Sequence, residues 1–140
     1  MKIKIKKIYP NTKLPFYAKE GDVALDMFSR EEGVIDPGER AVFHTGFALE
    51  FPNGYAAVVK DKSGVAKNGI ATIGGVFDAG YRGEYNAQLI NLSDKPYKVE
   101  VGDKVAQLMI IPVEIVELEE VDELSETERG EGRFGSTGLK

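Results

Sequence analysis

Asp78 and Tyr81 stand three residues apart in GGVFDAGYRGE (74–84). A glycine turn accounts for the backbone there, but not for an acid after an apolar run or a tyrosine after a glycine. Together they offer a proton acceptor beside an aromatic ring. Three other stretches are also too polar or too glycine-rich for their surroundings. DKSGVAKNG (61–69) sets Lys62, Ser63 and Gly64 at the start of a short helix, where free amides and the helix dipole suit an anion. An ordinary N-cap serine gives the same pattern. GDKVAQL (102–108) and ALDMF (24–28) embed Gln107 and Asp26 in apolar runs, where an unpaired polar group is costly to bury. A satisfied buried polar group explains each of them equally well. Finally, RGEGRFGSTG (129–138) carries a lone aromatic, Phe134, among glycines, with Arg129 and Arg133 before it and Ser136 and Thr137 after it. That is the composition of a mobile arm with something to hold.

The elements that must position these residues are strands. KIKIK (2–6) alternates as a half-buried strand does, and AVFHTGFALEF (41–51), YAAVVK (55–60), YNAQLINL (85–92), VAQLMIIPV (105–113) and EIVELEEV (114–121) have strand composition. DPGE, PNG, DAG, LSDKP and EVGD punctuate them as turns. Many short strands with regular turns predict an all-β domain, a sandwich, jelly roll or small barrel. One short helix is predicted to open at Ser63 and stop near Gly69. The pattern divides the chain into a β-rich core over 1–121 and a flexible C-terminal arm over 122–140.

Composition narrows the chemistry. The 140 residues fit one domain with a core of its own, and 42% of them are hydrophobic. Without cysteine there are no disulfides, zinc–thiolate sites or thiol nucleophiles. The single histidine, His44, has no acid or nucleophile pattern around it and reads as structural. A net charge of −5 makes a nucleic-acid backbone a poor partner, so any anion is bound at a local site. No apolar run is long enough for a membrane span, and the basic start lacks the apolar core of a leader. These features point to the cytosol.

Taken in order, the five stretches resemble the motifs of the trimeric deoxyuridine triphosphate diphosphatases (dUTPases): ALDMFS (24–29), KSG (62–64), GVFDAGYRGE (75–84), GDKVAQL (102–108) and RGEGRFGSTG (129–138). The resemblance covers almost the whole chain. It implies a β-clip or distorted jelly-roll subunit in a homotrimer whose sites are shared between chains, acting on dUTP with Mg²⁺. It further implies that Asp78 activates the attacking water and that Tyr81 lies under the deoxyribose and excludes a 2′-hydroxyl. The hairpin from Asp78 to Asn86, with Gly75 before it, would read uracil. Lys62, Ser63 and Gly64 would contact the phosphates, with Gln107 and Asp26 near them and near the hydrated Mg²⁺. Arg129, Phe134, Gly135, Ser136 and Thr137 would form the closing arm. The chain departs from the family pattern at Lys62, where arginine is usual, at Asp61, where proline is common, at Arg133 and at Gln88. A related deaminase would need a glutamate in the hairpin region, and a non-catalytic nucleotide-binding or capsid-like module would not need Asp78.

Overall fold

The computed structural model describes residues 1–138, leaving Leu139 and Lys140 of the expected arm outside the described residues. Its regular elements are almost all strands: β1 (Lys4–Lys7), β2 (Leu25–Phe28), β3 (Gly33–Ile35), β4 (Arg40–His44), β5 (Phe47–Glu50), β6 (Tyr55–Lys60), β7 (Ile70–Thr72), β8 (Val76–Phe77), β9 (Asn86–Asn91), β10 (Tyr97–Val99) and β11 (Lys104–Pro112). The one helix, α1 (Ser63–Ala66), is a single turn between β6 and β7.

Period-2 alternation drives the packing. In β9, Ala87, Leu89 and Asn91 are buried, while Gln88 faces outward opposite Val42 of β4, itself exposed. The polar residue at position 88 therefore costs no burial. Ala57 and Val59 of β6 and Leu108 of β11 point into the same core as Met27, Phe43, Phe47 and Leu89. Two sheets carry this core, one ordered β2–β11–β6–β8 and the other β4–β9–β7, with the pairs β1–β5 and β10–β3 beside them. The first matters most here, because β11 at its centre touches both β2 and β6.

Several expected elements differ. The stretch 41–51 is two strands, because Gly46 takes a left-handed φ of 81° between β4 and β5. A Cβ at that position would run into the Thr12 side chain, so only glycine fits the corner. The N-terminal strand forms, but β1 pairs with β5 alone and all four of its residues are exposed, not half-buried. β8 pairs with β6, whereas β9 pairs with β4 and β7, so 78–85 is a connection between two sheets and not the turn of a hairpin. Residues 114–121 form no strand. After Val113, whose amide bonds the Gly54 carbonyl, Ile115, Val116 and Leu118 are exposed.

Candidate functional site

Lys62, not Ser63, occupies the N-cap of α1, and no side chain caps the turn. Amide hydrogen bonding in the turn begins with Val65, which donates to the Lys62 carbonyl, so the Ser63 and Gly64 amides ahead of it face solvent without a helical partner. The Lys62 side chain is held by Asp26. Its Nζ lies 2.6 Å from Oδ1 of Asp26, and Lys104 Nζ lies 2.7 Å from Oδ2 of the same carboxylate. Lys104 makes this contact as an ion pair, at an angle that leaves Oδ2 without an aligned hydrogen bond. Asp26 is 3% exposed. Burial opposes its ionisation, but Lys104 and Lys62 outweigh burial and hold the carboxyl below its usual range.

Sheet register brings the rest of this group together. Gln107 of β11 lies opposite Asp26 of β2 on one side and Lys60 of β6 on the other. Its Nε2 donates to the Asp61 carbonyl at 2.8 Å, which gives the half-buried amide a partner. Asp61 spends its carboxylate on Thr72, accepting from the amide at 2.5 Å and the hydroxyl at 2.7 Å. The Thr72 amide is the main reason that the Asp61 carboxyl sits below its usual range. The acid at 61 thus ties the end of β6 to β7.

A second group forms on the 78–85 connection. The Tyr81 amide donates to the Asp78 carbonyl at 3.0 Å, closing a turn that leaves Asp78 exposed with its carboxylate outside the turn's bonding. Tyr81 ends an aromatic stack. Phe47 and Tyr85 lie 5.3 Å apart, Tyr85 and Phe77 4.3 Å, and Phe77 and Tyr81 5.4 Å, so the outermost ring is fixed from beneath while 39% exposed. The Tyr81 hydroxyl donates to the Glu84 carbonyl at 3.1 Å. Glu84 anchors the loop, its Oε1 accepting from Arg30 Nε and the Gly46 amide, each at 2.8 Å. Asn86 follows at the head of β9, with a buried Oδ1 that has no hydrogen-bond partner among the described residues.

Gly75 joins the two groups. Its carbonyl accepts from the Val59 amide at 2.7 Å, and its φ is 100°. An added Cβ would sit 3.0 Å from Val59 Cβ and 3.1 Å from its carbonyl, closer than β6 permits. From that point β8 runs antiparallel to β6, with Phe77 opposite Ala57, so Asp78 emerges beside Ala56. Lys62 lies six extended residues away at the other end of β6, roughly 20 Å at about 3.3 Å per residue. The structure therefore gathers Asp26, Lys62, Ser63, Gly64 and Gln107 at one end and Asp78, Tyr81 and Asn86 at the other.

The described residues of the arm join neither group. Its hydrogen bonds are internal, among them Arg129 Nε to the Gly132 carbonyl and the Ser136 amide to the Arg133 carbonyl. Phe134 is 91% exposed, with the Arg133 guanidinium 4.6 Å from its ring centroid. Gly135, Ser136 and Thr137 are exposed beside it. His44 is partnered by Glu31, whose Oε1 meets the His44 amide at 2.7 Å and Nδ1 at 2.8 Å.

Sequence reasoning missed Lys104 and Glu84 as members of these groups. Lys104 could not be found by periodicity, because a β-bulge decides its direction. Lys104 pairs with Phe28 and Ala106 with Met27, leaving Val105 as an extra residue. No helix among the described residues is long and apolar enough to cross a membrane.

The chain matches the dUTPase family model over residues 10–138. It is 51% identical to the deoxyuridine 5′-triphosphate nucleotidohydrolase of Alkaliphilus metalliredigens, over 99% of this chain and 98% of that one. With the enzyme of the same name from Hydrogenobaculum it is 46% identical over the full length of both. Its structure is similar to that of the dUTPase of Staphylococcus bacteriophage 80alpha with dUPNHPP, at TM-score 0.92 and 30% identity over 99% of each chain. A mutant dUTPase from phage phi11 of S. aureus, solved with a coordinated structural Mg(II) ion, matches at TM-score 0.83 and 26% identity over 90% of this chain and 100% of that one.

Proposed function

The chain belongs to the dUTPase family, and from that membership we propose that it hydrolyses dUTP to dUMP and pyrophosphate. In a cell this keeps uracil out of DNA and supplies dUMP for dTMP synthesis. The observation that carries the reading is the exposed Asp78 carboxylate, set three residues from a Tyr81 ring that a stack of aromatics fixes in place.

Asp78 orients a water in line with the α-phosphorus and takes its proton as the new P–O bond forms and the bond to the bridging oxygen breaks, releasing pyrophosphate. The rigid Tyr81 ring lies against the deoxyribose and leaves no space for a 2′-hydroxyl. Gly75 to Asn86 reads the uracil edge through backbone groups and the unpartnered Asn86 Oδ1. Ser63 and Gly64 present amides to the α- and β-phosphates, as a helix start does for an anion, and Lys62 adds charge. Gln107 and Asp26 line that end of the site. Arg129, Phe134, Gly135, Ser136 and Thr137 close over the nucleotide, with Phe134 on the base and the others toward the γ-phosphate.

The described residues hold no group of three acids or histidines able to cage a metal, and Asp26 is already engaged by two lysines. This donor set fits a hydrated Mg²⁺ carried by the phosphates, with Asp26 and Gln107 reaching it through water. When bound, the ion neutralises phosphate charge and polarises the reacting phosphoryl group. Because Asp78 and Lys62 lie at opposite ends of β6, one chain does not bring them together. A homotrimer that pairs the Asp78 end of one chain with the Lys62 end of another fits that separation, and its proposed place is the cytoplasm.

The test is incubation with dUTP, dCTP, dTTP and UTP plus Mg²⁺, reading nucleotide and phosphate products separately. The parent should convert dUTP alone at a high rate, giving dUMP and pyrophosphate. Asp78→Asn should lose at least about 100-fold in kcat, about 2.7 kcal/mol, while still binding nucleotide. Turnover within tenfold of the parent would remove Asp78 from the role of base.

A further inference from the structure

We infer that Lys104 is a positioning residue for the phosphate end of the site: it keeps the buried Asp26 carboxylate paired so that Lys62 is free to leave it for the substrate. This rests on the dUTP reading above. Asp26 is 3% exposed and meets Lys62 through Oδ1 and Lys104 through Oδ2. A single lysine facing a buried carboxylate is trapped, because its departure would strand an unpaired charge in the protein. With two lysines, one per oxygen, either can leave and the carboxylate keeps a partner. The free Ser63 and Gly64 amides adjoin Lys62 in the chain, so Lys62 is the one placed to move toward phosphate.

The fold takes trouble to put Lys104 there. In an uninterrupted ladder Val105 would lie opposite Phe28, and Lys104 would point to the core side with Met27. The bulge at Val105 moves Lys104 opposite Phe28, onto the face shared by Asp26 and Gln107. Val105 is buried on the core side together with Ala106, so the two successive apolar residues anchor the bulge.

The role predicts a coupling that direct phosphate contact by Lys104 does not. In the full-length protein, Lys104→Met should trap Lys62 on Asp26 and raise KM for dUTP by at least about tenfold, with kcat within about threefold. Lys104→Arg should restore KM to within about threefold of the parent, since the charge returns. In an Asp26→Asn background no carboxylate remains to keep paired, and adding Lys104→Met should change KM by less than about twofold. Thermal melts of all variants show which are folded, and Lys104→Gln carries the same test if the methionine variant does not fold. A KM penalty that persists in the Asp26→Asn background would overturn the role and place Lys104 on the substrate itself. An active parent with an indifferent Lys104→Met would also overturn it, leaving the dUTP reading intact. An inactive parent would overturn that reading first.

Discussion

Tyr85 shows how closely packing and chemistry are joined at the scale of one residue. Its ring is fully buried between Phe47 and Phe77, and its hydroxyl has no hydrogen-bond partner among the described residues. Burial pushes the phenol up to about 12 from 10.0. An acid whose folded pKa is raised contributes stability that is whole below the unfolded value. That stability is lost as pH climbs through the folded value, here from about 10 to about 12. The loss is on the order of 3 kcal/mol. Chemical unfolding at pH 9 and pH 11.5 should therefore show a steep alkaline loss in the parent and a clearly smaller one in Tyr85→Phe. Parallel losses would mean that the phenol is not protected by the fold. The acid side runs the other way. Asp26, Glu31 and Asp61 are all held below their usual range, so their contribution is present above about pH 4 and fades as pH falls further.

At the scale of elements, alternation made much of the fold legible. Residues 55–60, 85–92 and 105–113 read as strands, and the structure has β6, β9 and β11 there. Where the reading failed, the cause lay outside any local window. Residues 41–51 alternate well enough for one strand, but the corner at Gly46 is set by Thr12, thirty-four residues away. Residues 114–121 have strand composition, yet a strand needs a neighbour to pair with, and none is offered among the described residues. The phosphate-end residues follow from the motif order, but the Lys104 contact with Asp26 does not, because bulges leave little trace in composition. The arm follows the same logic. Among the described residues its hydrogen bonds stay within the arm, so deleting 129–140 should leave the thermal melt within about 2 °C of the parent. It should also lower kcat/KM for dUTP by at least about 100-fold, since stacking on a base is worth roughly 1–3 kcal/mol and charge-assisted phosphate contacts add to it. A truncated protein with parental kcat/KM would make the arm a bystander.

The whole molecule poses the question that a single chain cannot answer alone. Asp78 and Lys62 leave opposite ends of β6, and the same chain exposes Ile115, Val116, Leu118 and Val121 in an unpaired segment. Apolar surface of that kind is what the homotrimer proposed above would cover. If sites form between chains, two crippled subunits can complement each other. Asp78→Asn removes the base from one kind of chain, and Lys62→Met with Ser63→Pro removes the Lys62 charge and the Ser63 amide from another, proline being tolerated at the first position of a helix. Each alone should form an assembly with at least tenfold less activity than the parent. Unfolded together and refolded as an equal mixture, they mix at random. A site then draws an intact Asp78 from one chain and an intact Lys62 and Ser63 from its neighbour about one time in four. Recovery of about a quarter of parental activity, rising with mixing and absent when the two are refolded separately and then combined, is the expected result. If every site lay within one chain, no mixture could contain an intact site, and the refolded mixture would stay as inactive as its components.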